Sequence, residues 1–211
     1  MPPMHARQIP TLFLAVAAAV LLSACSPISR PYRLNSMQSQ AELRPSLPLQ
    51  VYTSADGDTF DVYLSDLPAS ALRPGASLAG LSGHLIRIHV FVIPRAGRTP
   101  IDAEAFNAAI THAIVSGGQV GVYAGGGFVV PEDSVGASEI RARIAGGTVR
   151  LESGTGGFQD RLGPSNVAGS VRATRNASAA ESAKARLDEL IQMSRSGGSA
   201  APGSDAGGTG G

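Results

Sequence analysis

The sequence predicts a mainly β domain, an antiparallel β-sandwich or open barrel, that ends in one amphipathic helix. Residues 84–93 carry apolar side chains at every second position, and residues 119–130 form a second apolar run. From Ser178 onward the apolar residues are instead spaced three and four apart. A period of two is typical of strands, whereas spacing of three and four is typical of helices. Strands should therefore build the domain, and one helix should complete it.

The first predicted element is a hairpin. Residues 49–52 and 60–64 are β-rich and flank Asp-Gly-Asp at positions 56–58. An Asp-Gly pair between such runs is a good hairpin signal. The carboxylates of this turn and of Asp61 resemble the start of a calcium loop, but the twelve-residue loop needs its glycine sixth and a glutamate last. The spacing therefore predicts a turn without a metal.

The strongest predicted strand is 84–93, which Pro94 ends. Its even positions from Ile86 to Val92 are all apolar, so one face should pack on the main core. The second apolar run contains three glycines, Gly125–Gly127, which indicate a bulge, a bend or a close backbone approach. A phosphate-binding loop is not predicted, because Pro131 ends the segment where a helix should begin.

Residues 99–118 allow two interpretations. Residues 99–102, Thr-Pro-Ile-Asp, are typical of a helix start, and Gly117-Gly118 would then end the helix. The same segment also alternates, and Ser116-Gly117-Gly118 would then form a turn. A strand is favoured because the neighbouring segments are strands. The apolar-leaning strand face would carry Phe106, Ala108, Ile110, His112 and Ile114.

The last third of the domain should contain half-exposed strands and the helix. Residues 139–144 and 148–152 carry charges at alternate positions, and residues 166–175 contain two further arginines. All three segments are interpreted as antiparallel strands with one face exposed to solvent. The side chains expected to face water are Arg141, Arg143, Arg150, Arg172 and Arg175. Ser178 and Glu181 form a capping box for the helix. Its apolar face should consist of Ala180, Ala183, Leu187, Leu190 and Ile191.

Composition divides the chain into four parts. Residues 25–48 contain Ser, Gln, Asn, Arg and prolines and are predicted to be a flexible tether. Residues 49–195 are predicted to be a single mostly β domain, and residues 196–211 a disordered Gly/Ser/Ala tail. The remaining part, residues 1–24, has the features of a signal peptide.

The signal ends in a short pattern around the only cysteine. After a weakly positive n-region that contains His5 and Arg7, residues 12–22 form an apolar run that is too short for a helix to span a bilayer. The run ends in Leu22-Ser23-Ala24-Cys25, which resembles the bacterial lipobox. The resemblance implies that the signal peptidase recognises Leu22, Ser23 and Ala24. It further implies that Cys25 becomes the first mature residue and is acylated.

Acylation would make membrane lipid the first partner of the protein. Each buried methylene of an acyl chain contributes about 0.8 kcal/mol, so two or three chains anchor a protein stably. The residue after the cysteine is Ser26 rather than Asp. By analogy with sorting in enteric bacteria, this favours the outer membrane over the inner one. The resemblance thus implies a lipid-anchored protein of a bacterial cell envelope.

Charge and cysteine content exclude several functions. Cleavage before Cys25 removes Arg7 and no acidic residue, which leaves equal numbers of basic and acidic side chains. A neutral chain gives no reason to expect nucleic acid as a partner. With Cys25 acylated, no thiol remains for a disulfide, a thiolate nucleophile or a zinc–thiolate site.

The three histidines of the mature chain are the remaining metal candidates. Side chains alternate along a strand, so His84 and His89 should point to opposite faces. His112 should lie on the apolar-leaning face as a neutral residue hydrogen-bonded to a neighbour. The motif His-Glu-x-x-His is absent from the sequence. No metal, cofactor or catalytic residue is predicted.

The function favoured by these observations is a non-catalytic binding or scaffolding module with an envelope protein as a further partner. The alternative is a periplasmic or surface-exposed hydrolase whose site the sequence does not reveal. A pocket that holds two titratable groups with pKa values shifted in opposite directions would favour the hydrolase.

Overall fold

The structure is a computed structural model that describes residues 30–94 and 106–197. Within these ranges one nine-stranded sheet carries a single long helix on its outer side. The strands are β1 (Arg33–Ser36), β2 (Glu42–Leu43), β3 (Leu49–Thr53), β4 (Phe60–Ser65), β5 (Gly83–Val90), β6 (Ala108–Ser116), β7 (Gln119–Pro131), β8 (Glu139–Gly154) and β9 (Ser165–Arg175), and the helix is α1 (Ala177–Gly197). The prediction of a mainly β fold with one C-terminal helix is confirmed.

The strand pairings form a ring. The order is β2-β1-β9-β3-β4-β5-β6-β7-β8, and β9 also pairs with β8. Strands β3 to β9 therefore form a closed barrel, with β1 and β2 added beside β9. All pairings are antiparallel except the one between β3 and β9, where Val51 is opposite Thr174. Ring closure thus depends on a short parallel contact between strands far apart in sequence.

The interior of the barrel contains the larger apolar cluster. The even positions Ile86, Ile88 and Val90 of β5 lie in it, as the alternation predicts. The strand itself ends at Val90, three residues before the predicted end, and Val92, which was predicted to continue the buried face, is 43% exposed. Fully burying an aliphatic side chain of this size stabilises the fold by about 1.5–3 kcal/mol. This cluster supplies the floor of the cavity described below.

A second apolar cluster lies outside the barrel, beneath α1 and the connection 66–82. Leu85 and Val122 face outward from their strands into this cluster. Leu187 and Leu190 cover them from the helix, and the predicted apolar face of α1 is correct, with Ile191 half-buried. Strands β5 and β7 therefore carry apolar residues on both faces, because one face packs in the barrel interior and the other is covered by the helix.

The helix differs from its prediction at the cap, and it buries one arginine on which the sequence analysis made no prediction. Asn176 Oδ1 accepts the N–H of Ala179 at 3.0 Å, so Asn176 and not Ser178 is the capping residue. Arg186 is fully buried in the second cluster, where its guanidinium donates to Glu189 Oε2 and the carbonyl of Ala76, each at 2.7 Å. This arginine fastens the 66–82 connection to α1.

The predicted tether is wrong for residues 30–48. Strand β1 pairs with β9 through Leu34 opposite Val167, and Tyr32, Leu34 and Leu47 are buried in the barrel interior. Composition suggested a flexible segment because these few apolar residues are separated by prolines and polar residues. The folded domain therefore includes residues that precede the predicted boundary at position 49.

The ambiguous segment is a strand where the structure describes it. β6 is followed by a tight turn at Gly117 and Gly118, whose φ angles are 58° and 84°. Positive φ at both central residues is typical of a two-residue hairpin. The predicted helix start at 99–102 lies outside the described residues. Phe106 is 56% exposed and does not continue the buried face.

The glycine-rich pair β7–β8 shows a close backbone approach. A Cβ added to Gly125 would overlap the carbonyl oxygen of Thr148. The two strands predicted at 139–144 and 148–152 are one strand, β8, with a register shift between Ile144 and Gly147. A bulge lets the chain bend without ending the strand. The five arginines predicted to face water are exposed.

Residues 1–29 and 198–211 lie outside the described ranges, and with them the predicted signal peptide, the predicted recognition residues Leu22 to Ala24 and the predicted acylation site Cys25. The predicted tail from 198 on also lies outside, whereas residues 196 and 197, predicted to begin the tail, are the last residues of α1. Helix α1 is too polar to cross a bilayer, and no membrane-spanning helix occurs in the described part of the chain.

Candidate functional site

A cavity of about 470 Å³ lies at the end of the barrel where the β6–β7 hairpin meets the β8–β9 connection. Its apolar wall consists of Leu43, Ile114, Phe158 and Leu162, which pack against the barrel interior. Polar groups from β5, β7 and the β8–β9 connection complete the lining. The cavity is thus an opening onto the core with a limited set of polar side chains.

Gly121 positions the aromatic part of the wall. A Cβ at this residue would overlap the ring of Phe158, so only glycine lets the ring lie against β7. The ring of Tyr123 meets that of Phe158 edge to face, with centroids 6.5 Å apart. Such pairs add roughly 0.5–1.5 kcal/mol to the burial of the rings. The β8–β9 connection is therefore held against the barrel by aromatic packing.

Asp160 fixes the same connection by hydrogen bonds. Its Oδ1 accepts the hydroxyl of Tyr123 at 2.6 Å and the N–H groups of Leu162 and Gly163 at 3.0 and 2.8 Å. Burial acts to raise the pKa of the Asp160 carboxyl, but these hydrogen bonds outweigh it and lower that pKa. Burial, and then the bond to Asp160, raise the pKa of Tyr123.

A chain of hydrogen-bonding rings leads from the barrel interior to the cavity. Tyr32 Oη is 3.2 Å from His112 Nδ1, and His112 Nε2 is 3.1 Å from His84 Nδ1. His112 is completely buried, whereas His84 lines the cavity with 14% of its side chain exposed. Beyond His84, its Nε2 lies 4.0 Å from Asp66 Oδ2.

Burial keeps all three rings of this chain neutral. Burial, and then the proximity of His84, hold the pKa of His112 well below its usual value. Burial also lowers the pKa of His84, against the opposing effect of the Asp66 carboxylate. Burial raises the pKa of Tyr32. At neutral pH these three side chains are therefore hydrogen-bonded to one another but carry no charge.

The predictions for the individual histidines are confirmed. His89 lies on the outer face of β5 with its Nδ1 3.1 Å from Asp61 Oδ1, whereas His84 points inward. His112 is a buried, neutral histidine bonded to its neighbours. No group of three or more His, Cys, Asp or Glu side chains in residues 30–94 and 106–197 is arranged to hold a metal ion.

The sequence did not reveal that His84 and His112 meet. In the β5–β6 register Ile86 is opposite His112 and His84 is opposite Ile114, so the two histidines are diagonal neighbours on one face. The sequence places each histidine on the apolar face of its own strand. It does not give the register between the two strands, and the contact between the histidines depends on that register. Tyr32 lay in the predicted tether, and nothing in the sequence placed it at His112.

Comparisons of the chain with protein-family models, with curated proteins and with solved structures found no match. In physical terms, the fold and the cavity define a class of protein: a closed β barrel with an opening of ligand size at one end. The neutral, hydrogen-bonded side chains of Tyr32, His112 and His84 lie beneath that opening. Inferences about function therefore rest on the cavity and its lining.

Proposed function

We propose that the protein is a lipid-anchored, non-catalytic binding module of a bacterial envelope, and that a small molecule binds in the cavity at the barrel end. The cavity itself carries the proposal. Its volume of about 470 Å³ lies within the roughly 300–1,000 Å³ typical of small-molecule sites. An apolar wall that continues the core, with a few polar groups at fixed positions, is also typical of such sites.

The titratable groups of the cavity favour binding over hydrolysis. The pKa of His84 is lowered and that of Tyr123 is raised, which is formally the opposite-shift pattern expected of an enzyme. Each shift, however, favours the neutral form, so His84 becomes a weaker base and Tyr123 a weaker acid. In the described ranges no serine or threonine hydroxyl is hydrogen-bonded to His84 or His112. The lining therefore provides orientation rather than proton transfer.

The lipobox resemblance supports the anchored location, with the outer membrane favoured. Membrane lipid would be bound through acylated Cys25, and an envelope protein is the expected further partner. Only seven residue steps separate Cys25 from Tyr32, which is buried in the barrel. At about 3.3–3.6 Å per extended residue, the barrel would lie within roughly 25 Å of the acylated cysteine. Binding would therefore take place close to the bilayer surface.

Binding can be tested with the neutral fluorescent probe N-phenyl-1-naphthylamine on the full chain carrying Cys25→Ser. Ser116 lines the cavity at an exposed strand end, so Ser116→Trp should fill the opening without disturbing the core. Ser182, exposed on α1, provides Ser182→Trp as the matched control. We expect saturable binding by the parent and the control, and at least about tenfold weaker binding by Ser116→Trp. Equal affinity in all three proteins would contradict the proposed site.

The anchor can be tested separately by metabolic labelling with a tagged fatty acid. We expect label on the parent and none on Cys25→Ser, because the acylated sulfur is then absent. Equal labelling of both proteins would rule out the anchor without bearing on the cavity.

A further inference from the structure

The hydrogen-bonded chain beneath the cavity fixes which nitrogen of each histidine carries the proton. A neutral imidazole has one donor and one acceptor nitrogen. If His84 Nδ1 donated to His112, the bare Nε2 of His84 would face the carboxylate of Asp66 at 4.0 Å. In the opposite arrangement, Tyr32 donates to His112 Nδ1, His112 Nε2–H donates to His84 Nδ1, and His84 Nε2–H faces Asp66. The second arrangement avoids repulsion, so His84 carries its proton on Nε2.

His84 Nε2–H has no acceptor among the described residues. The 4.0 Å distance to Asp66 Oδ2 is too long for a hydrogen bond, and Asp66 Oδ1 accepts the backbone N–H of His84 at 2.5 Å. The His84 ring lines the cavity. A ligand in the cavity would therefore meet an oriented, neutral N–H donor.

Gln119 supplies a second neutral donor. Its Oε1 accepts the hydroxyl of Thr155 at 2.8 Å, and the N–H of Val120 donates to the same Thr155 oxygen at 3.0 Å. The Thr155 hydroxyl proton has two acceptors in reach, Gln119 Oε1 at 2.8 Å and the carbonyl of Val120 at 3.4 Å, and the shorter contact is the one to Gln119. The Gln119 amide is thereby oriented with its NH₂ group away from Thr155. Gln119 lines the cavity, so this NH₂ group is available to an acceptor on a ligand.

The charges around the cavity are arranged against an ionic ligand. Glu42 lines the cavity but is paired with Arg44 at 2.8 Å, and Arg161 is exposed to water, with its guanidinium 3.5 Å from Gln159 Oε1. An anion at His84 would approach the carboxylate of Asp66. A cation would meet N–H donors instead of acceptors. Burying an unpaired charge is costly, whereas a neutral acceptor pairs with an N–H donor without that cost.

We propose that the cavity selects an uncharged molecule with an apolar body and a carbonyl group at its polar end, as in a ketone, an ester or an amide. His84 Nε2–H donates to the carbonyl oxygen, the Gln119 amide lines the same cavity as a second donor for the polar end, and Ile114 and Phe158 contact the apolar body. Tyr32 and His112 are positioning residues, which hold His84 in the donor form. This ligand class rests on the proposed binding function of the cavity.

Competition among three probes of similar length tests this selection. 2-Octanone, octanoate and octylammonium should each be titrated against N-phenyl-1-naphthylamine bound to the full chain carrying Cys25→Ser. We expect the ketone to displace the probe at about tenfold lower concentration than either ion, the ratio that one hydrogen bond plus the cost of an unpaired charge would produce. Equal or tighter binding of either ion would overturn the ligand class, as would a bound probe that none of the three displaces. Failure of the probe itself to bind would instead count against the proposed function.

A second measurement uses unaltered side chains at the site. Ring ¹⁵N spectra should show His84 protonated on Nε2 and bare on Nδ1. Addition of 2-octanone should shift the Nε2 resonance of His84 and leave that of the outward-facing His89 unchanged. A proton on His84 Nδ1, or equal shifts of both residues, would refute the donor role of His84.

Discussion

Acidification should destabilise the barrel before its carboxylates titrate, because the interior holds neutral histidines. In the unfolded chain a histidine takes up a proton below about pH 6.5, whereas folded His112, with its lowered pKa, remains neutral. The unfolded state thus binds more protons, and stability falls as pH decreases from about 6.5 toward the folded pKa. Between pH 7 and pH 5 a single histidine that stays neutral when folded costs about 2 kcal/mol.

The structure indicates how this loss divides between the two histidines. His112 is completely buried, so it should contribute nearly the full amount. His84 is partly exposed, and the nearby Asp66 carboxylate opposes the lowering of its pKa, so its share should be smaller. The expected total is therefore about 2–3 kcal/mol, a large part of the 5–15 kcal/mol that stabilises a typical domain.

Urea titrations at pH 7, 6 and 5 would measure the free energy of unfolding. The parent should lose stability across this range, and the outer-face variant His89→Gln should lose about as much. His112→Phe should be less stable at pH 7, since Tyr32 and His84 lose their partner, but its stability should change less with pH. The reasoning is refuted if the parent is equally stable at pH 7 and pH 5, or if His112→Phe retains the parental pH dependence.

Three further substitutions and one matched control test the packing. Gly125→Ala should lower the free energy of unfolding by more than about 2 kcal/mol, because the added Cβ overlaps a backbone oxygen of β8. Gly146→Ala should change it by less than about 1 kcal/mol, since a Cβ there meets nothing within 4 Å; equal midpoints in urea would contradict the close approach. Leu190→Asp should cost several kcal/mol by placing a carboxylate in the outer cluster, where Leu190 is fully buried. A parental midpoint for this variant would mean that the helix is not docked there. Gly121→Val should displace Phe158 and weaken binding of N-phenyl-1-naphthylamine, and unchanged affinity would remove that ring from the cavity wall.

Elements whose side-chain pattern is local could be predicted from the sequence. The alternation in β5, the hairpin between β3 and β4 and the apolar face of α1 each follow from residues within about sixteen positions of one another. The alternation of β6 also placed His112 correctly on a buried face. Local periodicity therefore gave the elements and the inward-facing residues, since it depends only on the conformation of one segment.

Features that depend on pairing between distant segments could not be predicted. The contact of His84 with His112 needs the register of two strands, and the capture of Tyr32 needs the pairing of β1 with β9 across about 130 residues. The β3–β9 contact is parallel and only two residue pairs long, and no turn sequence joins the two strands from which the pairing could be predicted. The cavity results from these pairings, which is why its lining comes from four separate parts of the chain.

The N-terminal boundary provides the sharpest test of the fold, because composition and structure place it differently. A chain that begins at residue 49 would match the predicted domain but would lack Tyr32, Leu34 and Leu47, all buried in the barrel interior. At about 1.5–3 kcal/mol for each side chain, their removal would cost roughly 5–9 kcal/mol, comparable with the total stability of a typical domain. It would also leave His112 Nδ1 without its hydroxyl partner and β9 with an open edge. We therefore expect the chain beginning at residue 49 to give no cooperative urea transition, whereas a chain beginning at residue 26 should unfold like the parent. A cooperative transition with the parental midpoint in the shorter chain would mean that residues 26–48 are the flexible tether that their composition suggests.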